Sequence, residues 1–266
     1  MPLAVCATPI GNLDDITLRV LDELRAADVV LAEDTRHTRG LLARHEIAAR
    51  LLSYHEHNEA ARVEELLPRL EVGQRIALVT DAGMPLVSDP GARLVCAALD
   101  AGVPVTVLPG ASAVETALVA SGLGGGAYAF VGFLPRRPGE LEALWRATSA
   151  WGCALVAFES PQRVGASLRA LAELDPARRV AVCRELTKQF EEVVRGDAAS
   201  LAERFAEPPK GEVTLVVAPG SRAVDTEGAL AAVGELVAAG TPRGVAAEVV
   251  ARLSGVSRND LYRGTL

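Results

Sequence analysis

Short apolar runs, many of them β-branched, recur along the chain and alternate with longer stretches in which apolar positions return every three or four residues. The runs Leu3–Ala7, Val29–Ala32, Leu51–Tyr54, Arg75–Thr80 and Val103–Leu108 predict strands. So do Tyr128–Phe133, Ala154–Phe158, Arg179–Arg184 and Val213–Val217. Between them Thr17–Ala26, Glu59–Leu70, Ala92–Ala101, Ala113–Ser121, Val164–Leu174 and Glu227–Ala239 carry the helical period. Strand–helix alternation of this kind predicts an α/β protein with mostly parallel strands. Three consecutive glycines, Gly124 to Gly126, mark the expected hinge, with one α/β domain over residues 1–122 and a second over 127–222. A helical C-terminal segment is expected over residues 223–266. Its last part, from Thr241, predicts two short helices around the turn LSGVS, with Ser257 placed to cap the second. That pattern resembles a helix-turn-helix and fits either a nucleic-acid contact or a helical lid on a sheet.

Composition narrows the class. Half of the residues are hydrophobic and 4% aromatic, which excludes a disordered or collagen-like chain. The net charge of −7 argues against indiscriminate nucleic-acid binding. The charge is unevenly spread: residues 1–125 are strongly acidic, whereas the tail from Thr241 carries Arg243, Arg252, Arg258 and Arg263 against Glu248 and Asp260. A basic partner surface is therefore expected in the C-terminal half. Cys6, Cys96, Cys153 and Cys183 stand singly in apolar stretches, so buried thiols in a reducing compartment are expected, with no zinc site or disulfide frame. The chain reaches a turn too early for a signal peptide and holds no apolar run of membrane-spanning length, so a soluble cytoplasmic protein is expected.

In an open α/β sheet, ligands sit beyond the carboxyl ends of the strands, and here those loops are rich in Gly, Pro, Asp and small hydroxyls. Thr8-Pro9-Ile10-Gly11-Asn12 follows the first strand, and Glu33-Asp34-Thr35-Arg36-His37-Thr38-Arg39 the second. The richest loop runs from Asp81 through Gly83, Met84, Pro85, Ser88 and Asp89 to Gly91, more punctuation than a turn needs, which points to a ligand loop. Pro109-Gly110-Ala111-Ser112-Ala113 opens a helix whose free amides suit an anion. No G-x-G-x-x-G, Walker A, G-x-S-x-G or H-E-x-x-H motif occurs, so hydride transfer, P-loop phosphoryl transfer and serine hydrolysis lack their parts. His55 and His57 fit a polar loop better than a metal site. Of the 27 basic residues only Lys188 and Lys210 are lysine, and a titratable amine is what Arg cannot replace.

The segments TPIGN, AEDTRHT, YHEHNE, DAGMPLVSDPG, LPGASA, GFLPR, ESPQR, RELTK and KGE, in this order and spacing, resemble the ribosomal RNA small subunit methyltransferase I family, a branch of the tetrapyrrole methylase superfamily. The likeness runs from Ala7 to about Val217. Met84 stands where the family usually has Thr, and Gln162 where it usually has His. The resemblance implies S-adenosylmethionine as methyl donor, bound in a cleft between the two α/β domains, a homodimer, and no metal. It implies as substrate the 2′-hydroxyl of a cytidine in the decoding region of 16S rRNA, free or in the 30S subunit. Carried over, the donor site comprises Thr8, Pro9, Gly11, Asp81, Gly83, Pro85, Asp89, Ser112 and Ala113, with Phe133 and Leu134 from the second domain. A ribose hydroxyl is a weak acid, so a general base is expected among Glu185, Lys188, Asp34 and Glu159. Lys188, its pKa lowered by Arg184 and burial, is expected to contact the ribose, with Arg36, Arg163 and Lys210 holding phosphates. Methylation of a tetrapyrrole or other small molecule, or a non-catalytic ribosome-assembly factor, are the competing readings.

Overall fold

The structure is a computed structural model that describes residues 2–220, 226–254 and 256–265. Residues 223–225 of the expected C-terminal segment, and Gly255 of the LSGVS turn, lie outside the described residues. Two compact units emerge: residues 2–142 with 153–218, and residues 143–152 with 219–265.

The first unit holds two five-stranded sheets. In the N-terminal sheet β1 (Leu3–Cys6), β2 (Val29–Ala32), β3 (Leu51–Ser53), β4 (Ile76–Leu78) and β5 (Val105–Leu108) run parallel in the order β3-β2-β4-β1-β5. Four helices make the crossovers: α1 (Leu18–Ala26), α2 (Thr35–Arg44), α3 (Glu59–Glu71) and α4 (Ala92–Asp100). Both faces are covered, so strands such as LAVC and VVLA read as unbroken apolar runs and are wholly buried. Alternate residues serve two cores. Ala4, Cys6, Val30 and Ala32 pack with Val20 and Leu24 of α1 and Leu42 of α2, whereas Leu3, Val29 and Leu31 pack with Leu66 and Leu70 of α3 and Leu94 of α4. Burying each such leucine is worth about 1.5–3 kcal/mol. Helix starts are fixed locally: Thr17 caps α1 through Val20 N, and Asp34 caps α2 through Arg36 N.

The second sheet is ordered β6-β7-β10-β8-β9, from β6 (Tyr128–Phe133), β7 (Ala154–Glu159), β8 (Arg179–Arg184), β9 (Glu192–Asp197) and β10 (Val213–Val217). Only β6 and β7 pair in parallel; the other pairs are antiparallel. The expectation of mostly parallel strands thus holds for the first sheet alone. The cause is β9, which turns straight back from β8 through residues 185–191 with no crossover helix between. Helices α6 (Pro138–Thr148), α7 (Val164–Leu174) and α8 (Ala198–Arg204) complete this half, and the last residues of α6 belong to the second unit.

α5 (Ala113–Ser121) falls inside the expected N-terminal domain, yet Val114 and Ala117 pack beneath the second sheet, on Val156, Ala181, Cys183 and Val216. Arg195 of β9 donates to the Ser121 carbonyl at 2.9 Å, placing a cation at the helix's negative end. This shared core is why both sheets fall in one unit. In the second unit α9 (Thr226–Ala238), α10 (Arg243–Ser254) and α11 (Arg258–Gly264) enclose Val233, Ala246, Ala247, Val250, Val256 and Leu261. Ser257 occupies the cap position of α11 without a side-chain cap bond.

Candidate active site

In the first sheet β4, β1 and β5 are neighbours, so the loops leaving their carboxyl ends converge. Thr8 and Gly83 stitch two of them: Thr8 N donates to Gly83 O at 2.8 Å, and Gly83 N returns a bond to Thr8 O at 3.1 Å. The Thr8 hydroxyl donates to the Thr80 carbonyl at 2.9 Å. Gly83, at φ +79°, makes the turn that this pairing needs.

Above these loops lies a cavity of about 350 Å³, within the size range of small-ligand sites. One wall is Ile10, Gly83, Met84, Val87 and Asp89; Ser112, Ala113 and Val114 form the first turn of α5; Phe133, Phe158, Cys183 and Leu186 close it from the second sheet. β6 changes register between Phe130 and Phe133, with Gly132 at φ +68°, and this bulge re-aims Phe133 onto the cavity. Four non-glycine residues with positive φ sit in the loops on either side: Leu86 and Ser88 in one, Glu185 and Thr187 in the other. Strained backbone of this kind concentrates where a ligand is held.

The two loop systems also touch directly. Thr187 Oγ1 accepts from Asn12 N at 3.0 Å, and Gly11 packs so closely under Leu186, Thr187 and Lys188 that a side chain there would collide with all three.

Charge at the site differs from expectation in two ways. Lys188 was expected to carry a lowered pKa. Burial does push it down, but hydrogen bonds to Glu212 (2.7 Å) and Glu185 (2.9 Å) more than offset this and hold it above the usual lysine value. A protonated lysine is no general base. Asp34, the second base candidate, is held at about 2 by hydrogen bonds from the Arg36 guanidinium and backbone, and does not line the cavity. Its capping role accounts for it. Glu185 likewise lies below the ordinary glutamate range, through its hydrogen bonds with Lys188 and Glu212 N.

The carboxylate that moves towards neutrality is Asp89: burial pushes it up to about 6, with Glu33 and Asp81 adding repulsion and Thr80 opposing. Glu33 is also raised, by burial and then by Asp81. Glu159 is buried in the cavity wall and locked by Ser160 N (2.7 Å), Ser167 Oγ (2.5 Å) and Arg163 (3.3 Å). Burial drives the Cys183 thiol to about 11, making it an apolar wall atom rather than a nucleophile.

Of the expected donor residues, Gly83, Asp89, Ser112, Ala113 and Phe133 line the cavity. Thr8, Pro9, Pro85 and Leu134 are buried behind it, Asp81 braces Asp34 N at 3.1 Å, and Gly11 seats the Lys188 loop. Arg163 faces inward: its guanidinium holds the Leu134 and Pro135 carbonyls as well as Glu159, which removes it from the expected phosphate-binding set. Arg36 and Lys210 are exposed. Leu186 and Glu212 of the lining lie in the RELTK and KGE segments but were not assigned to the donor site, and Cys183 and Thr214 stood only as apolar-strand residues; the antiparallel pairing of β8 and β10 brings all four to this wall.

This arrangement offers a helix N-terminus for a carboxylate, acids for cationic groups and an aromatic slot for a flat ring. The model of the Tetrapyrrole (Corrin/Porphyrin) Methylases matches residues 2–202. A curated relative from Mesorhizobium japonicum, "Ribosomal RNA small subunit methyltransferase I", is 45% identical over 267 residues, covering 99% of this chain and 91% of its own. The chain belongs to the ribosomal RNA small subunit methyltransferase I family. A second family relative, from Micromonospora olivasterospora, is 45% identical over 265 residues, covering 98% of this chain and 85% of its own. The uroporphyrin-III C-methyl transferase of Thermus thermophilus, solved with S-adenyl homocysteine, shares the fold at 22% identity, with a TM-score of 0.56 over 80% of this chain and 96% of that one. The matched residues take in the whole first sheet and β6 to β9 of the second, and they include the strained loops on either side of the cavity.

Proposed function

We propose that this methyltransferase moves the methyl group of S-adenosylmethionine to the 2′-hydroxyl of a cytidine ribose in the decoding region of 16S rRNA. The observation that carries the reading is the cavity where the β1, β4 and β5 loops meet Phe133 and Phe158, in a chain of this family. The residues present suit the donor. Ser112 caps no backbone amide of α5, its hydroxyl going instead to Glu115, and the first turn of the helix lines the cavity, where a donor carboxylate would meet the positive end of the helix. Phe133 and Ile10 offer an apolar slot for the adenine, and Asp89 a negative charge for a donor that is cationic overall.

Bound S-adenosylmethionine supplies an electrophilic methyl on a sulfonium, so the protein's contribution is mainly alignment and exclusion of water. Phe158, Leu186 and Val213 keep the wall apolar. Lys188 acts as a positioning residue: its stem packs on Gly11 and its ammonium joins Glu185 to Glu212, fixing the two loops that flank the cavity mouth. Arg36 and Lys210 are the exposed cations of the original set and serve RNA phosphates. Val107, Val119 and Tyr128 expose apolar surface on β5, α5 and β6, which supports self-association into a homodimer. No helix among the described residues is long and apolar enough to cross a membrane, and work on ribosomal RNA fits a cytoplasmic location.

Titration calorimetry with S-adenosylmethionine, followed by transfer of a tritiated methyl to 30S subunits and to free 16S rRNA, tests the reading. Donor binding with transfer to either RNA supports it. Absence of donor binding overturns it and favours a non-catalytic assembly factor.

A further inference from the structure

The three-helix unit has no part in the cavity, and its surface is lopsided. On α11, Leu261 faces the core, while Arg258, Asn259, Tyr262 and Arg263 are exposed at spacings that set them side by side on the opposite side. Arg252 is exposed in the last turn of α10. Arg258 folds back along α10, its guanidinium 3.9 Å from where a side chain on Gly244 would begin, which brings it beside Arg243. Arg243 Nε is buried and has no hydrogen-bond acceptor among the described residues. Many arginines of the first unit, such as Arg25, Arg44, Arg69 and Arg75, are ion-paired. Arg243, Arg252, Arg258 and Arg263 have no salt-bridge partner among the described residues, although Glu248 and Asp260 are nearby in sequence. Unpaired arginines interleaved with Asn and Tyr are what an RNA strand recognises: fork-shaped donors for phosphates and a ring for sugar or base.

The geometry points to the outer face of α10 and α11 as a second RNA-contact surface that grips the phosphate–sugar backbone of the substrate, separate from the residues that hold the methyl donor. It rests on rRNA being the substrate. The test uses the full chain, comparing wild type with R258Q/R263Q and R258K/R263K. Affinity for a 16S decoding-region fragment and for the 30S subunit is measured against salt, together with donor affinity, thermal midpoint and the split of KM and kcat.

The Gln variant is expected to lower the slope of log affinity against log salt by about 1 per residue and to raise KM for RNA. Its kcat at saturating RNA, donor affinity and thermal midpoint stay at wild-type values, and the Lys variant keeps the slope. An unchanged slope and KM in a folded, donor-binding Gln variant overturns the inference. So does weakened 30S binding with an unchanged RNA-fragment slope, which assigns the face to a ribosomal protein. If wild type binds donor but neither RNA nor 30S, the functional reading itself fails and this surface with it.

Discussion

Replacing Asp89 by Asn removes a carboxyl that the fold holds away from its preferred ionisation. Burial, aided by Glu33 and Asp81, moves it from an ordinary 3.8 to about 6. A shift of about two units corresponds to about 3 kcal/mol at roughly 1.4 kcal/mol per unit, and partial solvent access reduces that to about 1–2 kcal/mol. The sign follows from proton binding. Between 3.8 and 6 the folded state binds more protons than the unfolded state, so stability falls as pH rises through this window. Above about 6 the full penalty is present; below 3.8 it is gone. Asp89→Asn should therefore raise unfolding free energy at pH 7 by about 1–2 kcal/mol and change it little at pH 3.5, with both read from urea melts. The same variant should weaken donor binding at pH 7, because the cavity loses a negative charge facing a cation. A variant no more stable than wild type at pH 7, or equally stabilised at both pH values, refutes the reasoning.

Gly11→Ala would drive a methyl into Leu186 O, Thr187 Oγ1 and the Lys188 stem, so donor affinity should fall at least about ten-fold and stability by about 1–3 kcal/mol, read by calorimetry and melts. Lys188→Arg should keep most activity across the pH profile whereas Lys188→Ala should raise KM for RNA, because Glu185 and Glu212 lose their shared cation; loss of activity in both would restore the neutral-amine reading. Leu66→Ala should cost about 2–5 kcal/mol without altering donor affinity per folded molecule, since Leu66 lies in the α3 core away from the cavity.

The first sheet was readable from its apolar runs because parallel strands buried on both faces leave no polar alternation to confuse them. β9 was not, since Glu192, Arg195 and Asp197 interrupt EVVRGD and the strand is half-exposed at the sheet edge. α6 escaped because its apolar positions begin only after Pro138, Gly139 and Glu140. At the site, the loops singled out beyond the strands do wall the cavity, but which of their residues face it depends on the Thr8–Gly83 pairing and on the bulge at Gly132. Lys188 shows the limit most sharply. Its neighbours Arg184 and Glu185 were in view, whereas Glu212, which decides its charge, lies 24 residues away and arrives only through the β8–β10 pairing. Cys96, expected among the buried thiols, lies exposed on α4, and Cys153 is half-buried; Cys6 and Cys183 are buried.

The most direct measurement of the central claim is mass spectrometry of nuclease-digested 16S rRNA after incubation of 30S subunits with protein and S-adenosylmethionine. The account predicts one added methyl on the ribose of a single decoding-region cytidine, absent when donor or protein is omitted. A methyl on a base, or an unmodified decoding region alongside a methylated small molecule, would contradict it.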